Sequence, residues 1–459
     1  MRPNRKSRLV SVAHVFVFAC VGVLLFRTDP AHSAGEPPSE ISRENVVNTY
    51  NAVLAMPDIK LKATEDIFRL NALALDWDIG VKVYEPEDSS KSLVGPDGKK
   101  IGLFLLHGGS GDYRSVEAFA LILAGKFGFK VTNMTFPGRL YLQDRSRNWP
   151  GDTVNADGTL RTPIWKTGEL ITKDQYEVVE DRSKRERYGT LIVAKAKPGT
   201  IFYDRMAAWP VAFEDAMKEV CRRYFPANQY SILVNGHSTG GPFAHYLSQR
   251  VPNAVGVIGL GTAPFGYISS KMVGQVWDAP FNTLRIRTWR DIARYAGEGR
   301  EKDDWKLLPL VMEDVLERWQ KATKIPQFKA EDFVLFDGAT SLAHAATATA
   351  KRLNLSVQET EALVNRYVGY TRELTGPGVK PVPPIIYFSA KGDRDFSAKA
   401  YAETALAMYA AMKSPPKVRL VLVGAGVHDY NQPEEDLPKG IAPAVAKYWY
   451  DAIMAGYFR

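Results

Sequence analysis

The fold of this chain is decided by the stretch Gly236-His237-Ser238-Thr239-Gly240. An apolar run at residues 230–234 precedes it, and a helix-like run at residues 242–250 follows it. A Gly-x-Ser-x-Gly pattern between a strand and a helix is typical of a nucleophile elbow, a sharp turn that exposes the serine hydroxyl. The glycines let the neighbouring backbone pass closely because they carry no Cβ. Ser238 is therefore the candidate nucleophile.

Strands and helices alternate on both sides of this turn. Apolar runs predict strands at residues 101–106, 129–136, 229–235, 254–261, 384–389 and 418–423. Helical patterns occupy residues 41–54, 116–126, 203–224, 398–412 and 441–454. Near the start, residues 67–75 and 79–84 predict an antiparallel pair that turns at Trp77 and Asp78. This alternation predicts an α/β fold with a mostly parallel central sheet flanked by helices.

Two long segments interrupt the alternation. Residues 140–200 are polar and predict an insertion of loops with a hairpin. Residues 265–381 carry helical patterns without clear strands, and a Pro- and Gly-rich stretch ends them. The predicted organisation is a first core part at residues 34–264, a helical cap at residues 265–381 and a second core part at residues 382–459.

The first 33 residues have the layout of a secretory signal peptide. Basic residues precede an apolar run at residues 9–26, and Ala31-His32-Ser33 offers a small-x-small cleavage site. An uncleaved membrane anchor is the alternative, because an 18-residue run is borderline for spanning. Removing residues 1–33 lowers the formal net charge of +8 by four, so half of the basic excess belongs to this segment.

Composition excludes several other classes. With 459 residues, 45% apolar and 24% charged, the chain has the composition of an ordinary globular protein. No basic patch with interleaved aromatics indicates nucleic acid. No His-Glu-x-x-His or Cys-x-x-Cys pattern indicates zinc, so neither metal nor cofactor is expected. Cys221 is the one cysteine beyond the signal segment, and its helical context predicts a buried core residue.

With this elbow and this alternation, the sequence resembles the α/β-hydrolase superfamily over residues 67–264 and 384–459. The resemblance implies a serine, an acid and a histidine in that chain order. His428 stands directly after the strand at residues 418–423, where that superfamily places its base. An imidazole titrates near neutral pH, so it can accept the serine proton and return it.

Two aspartates compete for the role of the acid. Gly392-Asp393-Arg394-Asp395 follows the strand at residues 384–389. The usual Gly-x-x-Asp spacing of the superfamily favours Asp395, and Asp393 is the alternative. The acid needs only to orient the imidazole and to stabilise its cation.

The glycine-rich stretch His107-Gly108-Gly109 resembles the oxyanion loop of the same superfamily. Its glycines allow backbone N–H groups to face a developing negative oxygen. The amides of Gly109 and Thr239 are the expected donors. For His107, the expected role is to hold this loop by hydrogen bonds.

The resemblance implies a serine hydrolase that cleaves a small-molecule carboxylic ester through an acyl-enzyme, and the N-terminal segment predicts that it is exported. Three alternatives stay open. The layout of residues 107–111 with a helical cap resembles proline iminopeptidases, which would make the chain a peptidase or amidase. An acyltransferase of the same fold would use an alcohol acceptor in place of water. A non-catalytic binding protein could use the same scaffold. The substrate itself depends on the cap and on residues 140–200, which carry no motif that identifies it.

Overall fold

The computed structural model describes residues 39–72, 74–108, 113–137, 173–181, 192–196, 200–238, 240–262, 350–351, 353–361, 380–393, 409 and 415–459. Outside them lie the predicted signal segment, most of the predicted insertion at residues 140–200 and most of the predicted cap at residues 265–381. Three residues with predicted roles also lie outside them: Gly109, Thr239 and Asp395.

The described strands and helices are named in chain order. The strands are β1 (Ser39–Ile41), β2 (Leu61–Ala72), β3 (Leu75–Pro86), β4 (Lys100–Leu106), β5 (Lys130–Met134), β6 (Tyr176–Asp181), β7 (Ile192–Ala196), β8 (Tyr230–His237), β9 (Ala254–Leu260), β10 (Ile385–Gly392) and β11 (Val418–Val427). The helices are α1 (Arg43–Ala55), α2 (Glu117–Phe127), α3 (Ile201–Tyr224), α4 (Gly240–Ser248) and α5 (Ala442–Met454).

One large sheet organises these elements. Its nine strands lie in the order β1-β11-β10-β9-β8-β4-β5-β3-β2. In this spatial order, every neighbouring pair from β1 at one edge as far as β5 is parallel. Strand β3 is antiparallel to both β5 and β2. The predicted strands at both sides of the elbow are therefore present, and the mostly parallel sheet is confirmed. The three-residue strand β1 was not predicted.

The parallel direction of the strands determines where chemistry can be placed. Because parallel strands end at the same edge of a sheet, the segments after β4, β8, β10 and β11 meet at one edge. His107 follows β4, Ser238 follows β8, Asp393 follows β10 and His428 follows β11. Candidate residues separated by more than 300 positions therefore come to one place, as His107 and His428 show.

Helices cover both faces of this sheet. On one face, α1, α2 and α5 share a continuous core with side chains from β4, β5 and β8 to β11. Trp449 is fully buried there, with its ring edge-on to Phe119 at 4.8 Å between centroids. On the other face, α3 and α4 meet through stacked rings of Phe213 and Phe243, 4.0 Å apart. Each such buried side chain contributes roughly 1.5–3 kcal/mol through its removal from water.

The antiparallel pair near the start is present, but its predicted turn is wrong. The chain turns between Ala72 and Leu75, where Ala74 has a φ of +55°. The proposed turn residues lie inside β3 instead, because Trp77 is fully buried and Asp78 pairs with Arg69 across the strands at 2.9 Å. Alanine is not a typical turn residue, so no sequence signal marks the true turn.

Within residues 140–200, β6 and β7 form a separate antiparallel two-stranded sheet, which agrees with the predicted hairpin. Cys221 on α3 is buried as predicted, and burial raises the pKa of its thiol to about 12. Among the described residues, no helix has the length and apolar character needed to cross a bilayer.

Candidate active site

The turn after β8 has the strained geometry of a nucleophile elbow. Ser238 has a φ of +50°, in the left-handed region that a side chain disfavours by roughly 1–2 kcal/mol. Hydrogen bonds hold it there: its N–H donates to the Leu260 carbonyl at 3.0 Å, and its own carbonyl accepts from the Gly241 N–H at 3.1 Å. The Thr262 hydroxyl donates to the same carbonyl. Strain that is held from several sides is characteristic of functional turns.

Close packing explains the glycine after the serine. A Cβ on Gly240 would lie 2.7 Å from the carbonyl oxygens of both Leu106 and His107. Such contacts are too short for any side chain, so only glycine lets α4 begin this close to the end of β4. The first turn of α4 therefore lies directly against the start of the predicted oxyanion loop.

His107 holds the start of that loop, as predicted. Its imidazole is buried and stacks on the Phe136 ring at 3.8 Å between centroids. The Phe136 N–H donates to Nε2 of His107 at 3.3 Å. Nδ1 therefore carries the ring proton, and it lies 2.7 Å from the Gly108 carbonyl. These contacts fix the backbone just before Gly109.

A carboxylate–imidazole pair lies at the ends of β10 and β11. Nδ1 of His428 lies 3.0 Å from each carboxylate oxygen of Asp393. The Asp393 side chain is 0% exposed, whereas that of His428 is 20% exposed. A carboxylate only accepts, so Nδ1 of His428 carries the proton and donates it. With the proton held on Nδ1, Nε2 is the nitrogen left to act as the base, which is the tautomer a general base requires.

The register of the acid loop depends on where β10 ends. The sequence predicts that this strand ends at residue 389. In the structure, β10 pairs with β11 as far as Gly392, with a bulge after Ala390. Asp393 is thus the first residue after the strand and contacts His428 directly. Asp395, favoured by the motif spacing, lies outside the described residues; among the described residues, it is the alternative, Asp393, that contacts the histidine.

Gly261 packs against this pair, and sequence reasoning gave it no role. It has a φ of +51°, and a Cβ there would lie 2.5 Å from Oδ2 of Asp393 and 3.0 Å from Nδ1 of His428. The preceding Leu260 accepts the Ser238 N–H. The end of β9 therefore links the strained serine to the carboxylate–imidazole pair. The sequence signal for this role is that a glycine directly follows β9, the strand beside the elbow strand β8.

A second histidine lies inside the elbow itself. Nε2 of His237 lies 2.8 Å from the main-chain carbonyl of His428, and the two rings are 4.9 Å apart between centroids. Removal from water, with the neighbouring His428 as a smaller cause, lowers the pKa of His237 to about 4. His237 is therefore neutral at physiological pH.

Behind the elbow, a buried polar chain connects α4 to β10. Nδ1 of His245 donates to the Gly241 carbonyl at 2.7 Å, and the Tyr387 hydroxyl donates to Nε2 of the same ring. The Tyr409 hydroxyl lies 3.0 Å from that of Tyr387. Burial lowers the pKa of His245 to about 4, so this ring is also neutral.

These two neutral histidines predict a loss of stability in mild acid. The unfolded chain binds their protons near pH 6.5, but the folded chain does so only near pH 4, so protons favour unfolding between these values. One pKa unit corresponds to about 1.4 kcal/mol, which gives up to about 3 kcal/mol for each ring. Urea unfolding of wild type should show the free energy of unfolding falling from pH 6.5 to 4.

The His245→Asn variant is the comparison for this prediction. Its amide can still donate to the Gly241 carbonyl, but it cannot titrate. We expect its stability at pH 7 to be lower, and its further loss towards pH 4 to be smaller than that of wild type by up to about 3 kcal/mol. Identical pH dependence of the two proteins would contradict the neutral, buried state of His245.

The described residues thus bring Ser238, His428 and Asp393 to one edge of the sheet. No group of three or more histidine, cysteine, aspartate or glutamate side chains in the described ranges is arranged to hold a metal ion.

Comparisons with known proteins give distant structural likenesses. No protein-family model matches the chain, and no curated protein matches it in sequence. Among solved structures, a proline iminopeptidase from Mycobacterium smegmatis is 15% identical, with 86% of this chain and 100% of that chain covered and a TM-score of 0.37. A bacterial heroin esterase is 11% identical, with 97% and 90% covered and a TM-score of 0.35. A carboxylesterase from Bacillus subtilis is 12% identical, with 90% and 98% covered and a TM-score of 0.32.

The fold assignment rests on this chain's own topology. Without β1, the large sheet has eight strands. When they are numbered along the chain from 1 (β2) to 8 (β11), they lie side by side in the order 1-2-4-3-5-6-7-8. Strand 2 in this numbering, which is β3, is antiparallel to both of its neighbours. The strained serine follows the fifth of these strands, and the histidine follows the eighth. The described part of the chain has the fold of the α/β-hydrolase superfamily, as the sequence predicts.

Proposed function

We propose that this protein is a serine hydrolase that cleaves a small-molecule carboxylic ester through an acyl-enzyme. Ser238 is the nucleophile, His428 is the general base and acid, and Asp393 orients His428. The amides of Gly109 and Thr239 are the proposed oxyanion donors. No cofactor takes part in these steps.

The reaction consists of two acyl transfers. Nε2 of His428 takes the Ser238 proton as Oγ attacks the ester carbonyl, and the oxyanion forms opposite the two amides. Collapse of this intermediate breaks the bond to the alkoxide, which leaves as an alcohol with the proton from His428. Water then attacks the acyl-serine by the same steps in reverse, and the carboxylic acid and free Ser238 are released.

The observation that carries this proposal is the contact between Nδ1 of His428 and the buried Asp393 carboxylate at 3.0 Å. A carboxylate with 0% exposure next to an imidazole stabilises the imidazolium that forms when the serine proton is transferred. The same sheet edge carries a serine at a φ of +50°, held by hydrogen bonds from two neighbouring segments.

A fluorophosphonate probe tests the nucleophile directly, since it reacts covalently with activated serines. We expect labelling of the wild-type protein and none of Ser238→Ala. The matched control is Ser90→Ala, which removes an exposed serine from the turn at Ser89–Lys91 and should label like wild type. Absence of labelling in folded wild-type protein would support the non-catalytic alternative instead.

Parallel assays separate the hydrolase classes. Short-chain aryl esters and amino-acid anilides are offered to the same preparation, with and without an added alcohol. The proposal expects a higher kcat/KM on esters, with the carboxylic acid as the main product. Preference for anilides would indicate a peptidase or amidase, and a dominant new ester in the presence of alcohol would indicate an acyltransferase.

The proposed location is outside the cytoplasm, with residues 1–33 removed. Its support is the basic start, the apolar run at residues 9–26 and the site Ala31-His32-Ser33. We expect N-terminal sequencing of protein from the exported fraction to begin near Ala34, which leaves β1 in the mature chain. Recovery of Met1 or Arg2 from a membrane pellet would favour the uncleaved anchor.

A further inference from the structure

His237 occupies the junction of three segments that build the proposed site. It ends β8 and directly precedes Ser238. Its Nδ1 lies against the backbone of Gly108, where a Cβ would be 3.2 Å away. Its Nε2 lies 2.8 Å from the main-chain carbonyl of His428. His237 therefore belongs to the elbow, and its imidazole contacts both the segment after β4 and the segment after β11.

The contact with His428 has a defined direction. A carbonyl oxygen only accepts, so Nε2 of His237 carries the ring proton and donates it. The charged and titratable groups that act on this ring are His428, Asp393 and Asp429. A neutral ring suits this place, because a second positive charge 4.9 Å from the His428 ring would disfavour the imidazolium that catalysis requires.

Two other hydrogen bonds hold the same loop, and neither has an elbow residue as donor or acceptor. Glu434 accepts the Gly426 N–H at 2.6 Å, and the Tyr430 hydroxyl donates to the Phe388 carbonyl at 2.7 Å. Both fix the loop against itself or against β10. Among these three hydrogen bonds, the one from His237 alone originates next to the nucleophile.

We propose that His237 is a positioning residue that fixes the main chain of His428 relative to Ser238 through its Nε2–H hydrogen bond. Asp393 orients the imidazole of His428, and His237 fixes the position of the main chain from which that imidazole extends. This inference rests on the proposed serine-hydrolase function. It adds that the residue before the nucleophile controls the distance between nucleophile and base.

The test compares substitutions that keep or remove the donor. His237→Met fills a similar volume without a donor, and His237→Gln restores an N–H at the reach of Nε2. Because small misplacements of catalytic groups cost up to about 100-fold, we expect His237→Met to lower kcat by roughly 10- to 100-fold with KM nearly unchanged. His237→Gln should recover most of that loss. If His237→Met does not fold, His237→Asn replaces it, since its amide is too short to reach the carbonyl.

Tyr430→Phe is the matched control, because it removes the hydrogen bond to the Phe388 carbonyl but keeps the ring that lies edge-on to His237. We expect it to lower Tm while changing kcat by less than about threefold. Equal losses of kcat in His237→Met and Tyr430→Phe would overturn the proposal in favour of general loosening of the loop. Equal impairment of folded His237→Gln and His237→Met would overturn the donor role.

The two levels of the proposal fail separately. If Ser238→Ala keeps its activity, the serine-hydrolase function itself is wrong. If Ser238→Ala is inactive while folded His237→Met stays within about threefold of wild type, the function stands and the positioning role is wrong.

Discussion

The Ser238→Ala variant is expected to fold and to lose on the order of 10³-fold or more of kcat. Removal of a triad nucleophile leaves only the catalysis that binding and oxyanion donors provide. The hydroxyl lies at a turn, so its loss should change Tm little. Steady-state kinetics on an aryl ester, with circular dichroism for folding, measures both.

The elbow's strain provides a companion variant. Ser238→Gly should be as inactive as Ser238→Ala, yet more stable by about 1 kcal/mol, because glycine adopts a positive φ without the penalty that Cβ imposes. Activity of either variant within about tenfold of wild type, after contamination is excluded, would show that another residue is the nucleophile.

Replacing Asp393 by asparagine is expected to lower kcat/KM by roughly 10⁴-fold at neutral pH. The amide can hold the wrong tautomer of His428, and it cannot stabilise the imidazolium. The fold should persist, since asparagine has nearly the same shape in this buried place. The measurement is kcat/KM at pH 7 to 8, with near-UV circular dichroism as the test of local packing.

Asp395→Asn is the paired variant, because the motif spacing favours Asp395 and the observed contact favours Asp393. We expect Asp395→Asn to lose less than about tenfold in kcat/KM. A reversed result would assign the acid to Asp395. Full activity of both variants would require an acid from another segment, and the segment that follows Gly261 in the sequence is then the candidate.

The sequence predicts best the features that have a strong local signal. The strand before Ser238, the helix after it and the strand before His428 all have continuous patterns, and each is confirmed within a few residues. Chain order alone then predicts that Ser238 and His428 belong to the same edge of the sheet. The roles of both residues stay predictions until activity is measured.

Features that depend on tertiary pairing were missed. Strand β10 extends through Lys391 and Gly392 because β11 lies beside it, although neither residue is a strand former. That extension makes Asp393 the first residue after the strand. The strand β1 is too short for any periodicity to reveal it. The Nε2 contact of His237 depends on a carbonyl 191 residues away.

The edge strand β1 has a consequence for how the molecule is made. It pairs in parallel with β11, so Ser39 lies opposite Val421 and Ile41 opposite Val423. Pairing β1 with β11 closes a loop that contains most of the chain, which costs more entropy than closing the short turn between β2 and β3. Contacts between such distant positions also raise contact order, which slows folding.

The strand β11, which is synthesised late, is therefore required to complete the sheet at β1, which is synthesised early. β11 also leads into His428, so the same late event finishes the sheet edge and delivers the proposed base. A nascent chain that has not yet reached β11 would hold Ser238 on its strand, but it would have neither the partner of β1 nor the histidine. Such an intermediate would carry the elbow without hydrolytic activity while the chain is still being made.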